Sequence, residues 1–323
     1  MKQEWIERPE GGTAFGLKLI TGFALAFGRT AARVLLYPIT VYFLLRRGPE
    51  RRASREYLQQ ITGREVSLWQ VAQHIYCFAA VTLDRVFLLS ERFKRFEVRT
   101  FGLDQLRQAW GQGHGVLLLG AHLGSFEALR VLAEFRSDLQ VRVVIDIEQN
   151  RKLSQVLNAL NPKLAKSVIN ARQEGTATAL TIKEALDEKS LVTLLADRAR
   201  PGNQVMTVDF LGRPAPFPTS PWQLAAALKV PVVLCFGLYR GGNRYDLHFE
   251  AFADQLKLER AHRDAQLRQT IQRFADAVAH HARSAPYNWF NFYDFWRADD
   301  PPTPAAAGSR SAVADDAGRG DRP

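Results

Sequence analysis

Short apolar runs alternate with amphipathic stretches through the middle of the chain, and this pattern limits the fold more than any other feature. The runs are GVLLLG (115–120), VRVVID (141–146), SLVTLLA (190–196), PVVLCFGLY (231–239) and RYDLHFE (244–250). Runs this short with few interruptions read as strands buried on both faces. The stretches between them carry helical spacing. A helix is expected from Ser125, with Phe126, Leu129, Leu132 and Ala133 on one face. ATALTIKEALDEK places Ala179, Ile182 and Leu186 in register, and SPWQLAAALKV has Pro221 near a helix start, where its missing N–H does no harm. The clearest helix runs from about Asp264 to Arg283, with Leu267, Ile271, Phe274 and Val278 at spacings of four, three and four. Strands alternating with helices predict an α/β fold: a mostly parallel central sheet flanked by helices.

The first third of the chain reads differently. Residues 14–45 are strongly apolar but are interrupted by Lys18, Arg29 and Arg33, with Pro38 in the second half. No uninterrupted run reaches the roughly 20 residues of a simple spanning helix. The next ten residues, RRGPERRASR (46–55), hold five arginines against one glutamate, and ERFKRFEVR (91–99) interleaves cations with Phe93 and Phe96. Apolar sequence flanked by arginine favours a membrane-associating helical segment with its cations toward anionic lipid. Whether it spans or dips into one leaflet is left open. The formal net charge of +10 suits anionic partners in general. No helix-turn-helix, zinc-finger or RNP-type motif points to nucleic acid. After Trp296 the chain becomes a tail rich in Pro, Ala, Gly and charge, with little to bury, expected to be disordered. The expected division is residues 1–55 as membrane-associating segment and basic flank, 56–297 as the main domain, and 298–323 as disordered tail.

Cys77 and Cys235 sit in apolar settings with no CxxC pair, so they read as buried thiols. The seven histidines form no metal-ligand pattern, and His280 and His281, adjacent on a helix, read as solvated positions. No Walker or dinucleotide fingerprint is present, and no G-x-S-x-G elbow, so no cofactor, metal or serine-hydrolase chemistry is expected.

The segment GAHLGSFEALR (120–130) carries the chemistry. His122 lies in a glycine-bounded turn after a strand, and Glu127 follows five residues later. One reading is a satisfied structural histidine beside a surface glutamate. The other is a base pair: a carboxylate on one imidazole nitrogen sets the tautomer, and the second nitrogen takes a proton from a hydroxyl. Ser125 is a good helix N-cap, which would place Glu127 in the first turn. Gly120 and Gly124 would let backbone approach a substrate, with free first-turn N–H groups receiving negative charge. An H-x4-E pattern is weak alone. It gains weight at the carboxyl end of a parallel strand, where open α/β sheets bind ligands.

GVLLLGAHLGSFEALR resembles the H-x4-D/E block of the lysophospholipid acyltransferase superfamily, in the form of the bacterial lipid A late acyltransferases (the lauroyl and myristoyl transferase branch). LVTLLADRARPGNQVMTVDFLGRPAPFPTSPWQLAAALKVPVV resembles that family's second conserved region, and the likeness runs over roughly residues 15–297. It implies a glycerolipid-acyltransferase-like fold and a protein at the cytoplasmic face of the inner membrane. It implies transfer of an acyl chain from an acyl carrier protein thioester to a hydroxyl of a (glyco)lipid acceptor. On this resemblance His122 is the general base and Glu127 its partner carboxylate. Asp197 is the acidic residue ending the later strand. Arg198 stands where glutamine or glutamate is usual, and Arg213 matches a position often basic, suited to a phosphate. Gly124, Ser125, Asp197, Arg198 and Arg213 are therefore candidate substrate-binding residues. The ending APYNWFNFYDFW, with seven aromatics from Tyr287 to Trp296, resembles instead the branch found with aryl polyene pathways. That branch implies an acceptor other than lipid A; most of the aromatics read as core. A non-catalytic lipid-binding scaffold and an N-acyltransferase are the competing functions.

Overall fold

The computed structural model describes residues 14–130, 140–147, parts of 155–171, 175–199 and 203–296. The expected tail 298–323 and the helix-face residues Leu132 and Ala133 lie outside the described residues, as does the side chain of Lys18.

Seven strands form one sheet in the order β1-β9-β8-β2-β5-β3-β4: β1 Glu97–Phe101, β2 Val116–Gly120, β3 Val141–Ile145, β4 Ile169–Asn170, β5 Leu191–Leu195, β8 Val232–Tyr239 and β9 Arg244–Ala253. Every neighbouring pair is parallel except β8 and β9, which form an antiparallel hairpin. Within the sheet that hairpin departs from the parallel arrangement because too few residues separate its strands for a crossover, so β9 must turn back. β2 is central, and all five of its residues are buried. Its Leu117 and Leu119 enter one half of the core while Val116 and Leu118 enter the other. A strand with alternate side chains facing two apolar layers must be apolar throughout, and VLLLG is.

Helices cover both faces. α1 Ala14–Arg46 breaks at Gly28, whose φ of 84° is non-helical; α2 spans Gly48–Thr62 and α3 Leu68–Leu89. Ser67 and Gln70 start α3 with a reciprocal capping box. α4 is Leu103–Trp110, α5 Gly175–Asp187, α6 Ser220–Leu228 and α7 Arg263–Ser284. α2 runs through position 55 without a break, and its Tyr57 and Leu58 are core residues. A separate ribbon, β6 Val205–Phe210 with β7 Arg213–Pro218, turns through Leu211 and Gly212, both at positive φ. Its prolines at 214, 216 and 218 fall on alternate positions, so their missing donors all face one side of a two-stranded edge.

α1 docks on the domain through its charges. Arg29 donates from Nε to Asp84 Oδ1 at 2.6 Å and from its terminal nitrogen to Oδ2 at 2.8 Å. Tyr245 adds a bond to Oδ2 at 2.9 Å, and Arg33 donates to the carbonyl of Gly242 at 2.6 Å. The arginines that interrupt the apolar segment therefore point into the protein, where a buried carboxylate needs them. Ala24, Ala32, Leu36 and Thr40 form the buried face of α1, whereas Phe27, Val34, Tyr37, Val41, Tyr42 and Leu45 are exposed. Among the described residues no helix is long and apolar enough to cross a membrane.

Cys77 and Cys235 are both buried and free. His281 corrects the expectation of a solvated position. Its side chain is 4% exposed, and Nε2 meets Glu250 Oε1 at 2.6 Å. Adjacent residues on α7 face different ways, and only His280 faces out.

Candidate active site

β2 and β5 run parallel with Gly120 opposite Leu195. Two residues beyond each end stand His122 and Asp197. Equal register therefore brings a histidine and a carboxylate together at the carboxyl edge of the sheet, although 75 positions separate them. Asp197 is fully buried and accepts three bonds. They come from His122 Nδ1 at 2.8 Å, the His122 backbone N–H at 3.0 Å and the indole Nε1 of Trp289 at 3.3 Å. The His122 side chain keeps 31% exposure, and its Nε2 has no partner among the described residues. A carboxylate only accepts, so Nδ1 carries the proton and Nε2 presents its lone pair.

Burial, and then the positive charge of Arg198, hold the His122 pKa below the ordinary imidazole value against the pull of Asp197. Burial pushes Asp197 upward, but His122, Arg198 and the donated bonds outweigh it and keep its pKa below the usual carboxylate value. Near pH 7 the pair is thus a neutral imidazole oriented by an ionised carboxylate.

This corrects the assignment of Glu127 as the imidazole's partner. Glu127 Oε1 pairs with Arg85 Nε at 2.6 Å, a contact short enough for an ion pair but not aligned as a hydrogen bond. Its Oε2 accepts from Ser125 Oγ at 3.2 Å. The helix expected from Ser125 begins instead as a 3-10 turn over Phe126–Arg130, and Ser125 is a buried residue whose hydroxyl serves Glu127. Sequence proximity favoured Glu127, but side chains in a turn five residues apart need not converge, whereas parallel strands in register must.

The backbone itself requires a glycine at 124. Its φ is +69°, and a Cβ there would stand 2.0 Å from the carbonyl oxygen of Gly237. Its N–H donates to the carbonyl of Asn288 at 2.8 Å, and that of Ser125 to Gly237 at 2.7 Å. Both of these N–H groups are thus taken up by backbone carbonyls. Gly120 likewise faces the Cys235 carbonyl, 2.9 Å from where its Cβ would be.

Arg198 lies beside the imidazole. Its guanidinium donates to the Phe290 carbonyl at 2.5 Å and rests over the Tyr293 ring at 5.7 Å. Arg213 is placed elsewhere: it pairs with Glu56 at 2.6 Å and lies over Trp296 at 5.2 Å, with no contact to His122, Asp197 or Arg198. This half-exposed pair ties the ribbon to α2.

Sequence reasoning missed the contribution of residues 288–290. The Phe290 N–H donates to the His122 carbonyl at 2.9 Å, Leu123 bridges to Trp289, and the Asn288 side chain spans the backbone of Tyr239. No spacing in an aromatic run announces such roles. Arg85 was legible in part: Asp84 and Arg85 are adjacent charges inside the apolar helix LWQVAQHIYCFAAVTLDRVFLL, and buried charge asks for partners. Among the described residues no group of three or more His, Cys, Asp or Glu side chains is arranged to hold a metal.

No curated protein matches the chain. The family model of the bacterial lipid A biosynthesis acyltransferases matches residues 68–298, from the first turn of α3 through the sheet, the His122–Asp197 pair and the aromatic ending. A match over most of the chain, spanning the whole sheet and both members of the pair, shows that this protein belongs to the bacterial lipid A biosynthesis acyltransferase family.

Proposed function

We propose that the protein moves a fatty acyl chain from an acyl carrier protein thioester to a hydroxyl of a membrane lipid, with His122 as general base and Asp197 as the carboxylate that orients it. The observation that carries this reading is the Nδ1–Asp197 bond with Nε2 left free at the carboxyl edge of the sheet. The acceptor hydroxyl gives its proton to Nε2 as its oxygen bonds to the thioester carbonyl carbon. Asp197 supports the imidazolium that forms. The tetrahedral intermediate collapses by breaking the C–S bond, and the departing thiolate takes the proton back from Nε2. The charge of Arg198 beside the imidazole favours the negative charge that develops on the carbonyl oxygen.

The exposed apolar stripe of α1, with Arg46 and Arg52 exposed beyond it, suits a helix lying in the cytoplasmic face of the inner membrane. In this reading residues 1–55 associate with the membrane and 56–297 transfer the acyl group. The acidic carrier protein matches the net charge of +10. The carboxyl-terminal aromatics support an acceptor outside lipid A itself.

The test is reconstitution. Purified protein is offered acyl carrier protein thioesters or coenzyme A esters together with lipid extracts, and products are read by mass spectrometry. The expected result is an O-acylated lipid from the carrier-bound donor, at a rate that falls with salt. Equal use of both donors without salt dependence overturns the donor assignment. No acylated lipid from any extract overturns the reading.

A further inference from the structure

The carboxylate that orients His122 is itself held from behind. Trp289 is fully buried, and its indole N–H reaches Asp197 Oδ2 at 3.3 Å. The carbonyl of the same residue meets His74 Nε2 at 3.0 Å, and His74 Nδ1 meets Ser54 Oγ at 2.8 Å. A carbonyl only accepts, so Nε2 bears the proton, Nδ1 accepts, and the Ser54 hydroxyl donates. His74 is neutral near pH 7, because burial pushes its pKa down to about 4 despite the bond to Trp289. A continuous line of bonds thus leads from α2 through α3 and the segment after α7 to the sheet edge: Ser54, His74, Trp289, Asp197, His122.

We propose that Trp289 and His74 are positioning residues for His122: the indole N–H fixes Asp197 against the imidazole, and His74 fixes Trp289. Packing alone would not require this. Tyr57 and Phe210 crowd the Trp289 ring at 4.9 and 5.0 Å, and a phenylalanine would serve them. Only an indole also offers Asp197 a donor. Without it Asp197 keeps two bonds, both from His122. The consequence for rate rests on the acyl-transfer reading above; the geometry does not.

The experiment therefore reads the imidazole without substrate. The protein, labelled with 15N-histidine and held in detergent micelles, is titrated by NMR, the His122 signals being assigned with His122→Gln. The other charges around this imidazole are Arg198 after β5, Arg85 on α3 and its partner Glu127, and every variant retains them. In Trp289→Phe a carboxylate with one donor fewer holds its negative charge less tightly and favours the imidazolium more. The His122 midpoint should rise by about half a pH unit. His74→Leu should raise it by less, and His74→Gln, which returns a donor to the Trp289 carbonyl, should restore the wild-type midpoint. An unchanged midpoint in folded Trp289→Phe overturns the proposal. Should that variant not fold, the two His74 variants decide, and equal midpoints in them overturn it. If acyl transfer is established, Trp289→Phe should also lower kcat by about 10-fold with KM unchanged, the scale of an outer-shell partner. Wild-type protein that transfers nothing while the midpoint still moves overturns the functional reading and leaves the positioning intact.

Discussion

Asp84 and Asp197 are both fully buried carboxylates that collect three hydrogen bonds, and the difference between them lies in the partner. Asp84 takes two bonds from Arg29 and one from Tyr245, all from side chains. Asp197 takes one side-chain bond from His122, one from its backbone and one from Trp289. A guanidinium stays charged at any pH a protein survives, so the Arg29–Asp84 contact is a fixed clip of α1 onto α3. An imidazole changes charge near neutrality, so the His122–Asp197 contact can accept a proton and release it. Similar burial and bond counts thus give a fastener in one place and a titratable pair in the other.

The comparison is most directly broken at the two carboxylates. Asp197→Asn keeps the shape but lets the amide donate to the imidazole, which favours the wrong tautomer. Acyl transfer should fall by roughly 10³- to 10⁴-fold with little change in thermal stability. Loss of folding instead would mean that Asp197 is a fastener too. Asp84→Ala leaves Arg29 buried without its counter-charge and should cost about 3–5 kcal/mol of stability, read as a lower urea midpoint. Activity of the fraction still folded should be near wild type, and a selective loss of turnover there would erase the distinction.

Acid sharpens the same contrast. Transfer should follow the neutral form of His122, whose pKa lies below the ordinary value. The rate should be level through pH 7 and fall about tenfold per unit below the His122 midpoint. Stability has its own window. Folded His74 titrates near 4 and unfolded histidine near 6.5, so between those values the unfolded chain binds more protons. Stability is then full above about pH 6.5 and declines as the pH drops toward 4, by about 2 kcal/mol at pH 5 from His74 alone. His74→Gln should flatten the slope of urea midpoint against pH. The smallest effect is at the surface: Val41→Ser and Leu45→Ser on the exposed stripe of α1 should each weaken vesicle binding by on the order of 1 kcal/mol. Neither should change unfolding as Asp84→Ala does.

Local pattern carried much of the fold. β2, β3, β5 and β8 fall within one residue of the apolar runs, and α7 at Arg263–Ser284 matches its expected limits to one residue. His122 was legible from its turn between glycines. Its partner was not, because a helix start was inferred at Ser125 and Glu127 lay close in sequence. The resemblance offers Arg213 to a phosphate, and no local pattern announces its pairing with Glu56 on α2. The cations expected toward lipid flank the apolar amino-terminal segment; those inside it, Arg29 and Arg33, turn inward, which no local pattern announces.

Legible along the chain is whatever depends on near neighbours: apolar runs that must be buried strands, helical faces, and a histidine released from a strand end. Only the tertiary structure shows which carboxylate meets that histidine, which acid pairs with Arg213 and what stands behind the site. Those contacts join residues 75 and 92 positions apart, as in His122–Asp197 and Asp197–Trp289. They are set by strand register and by where the segment after α7 packs, and no local spacing encodes either.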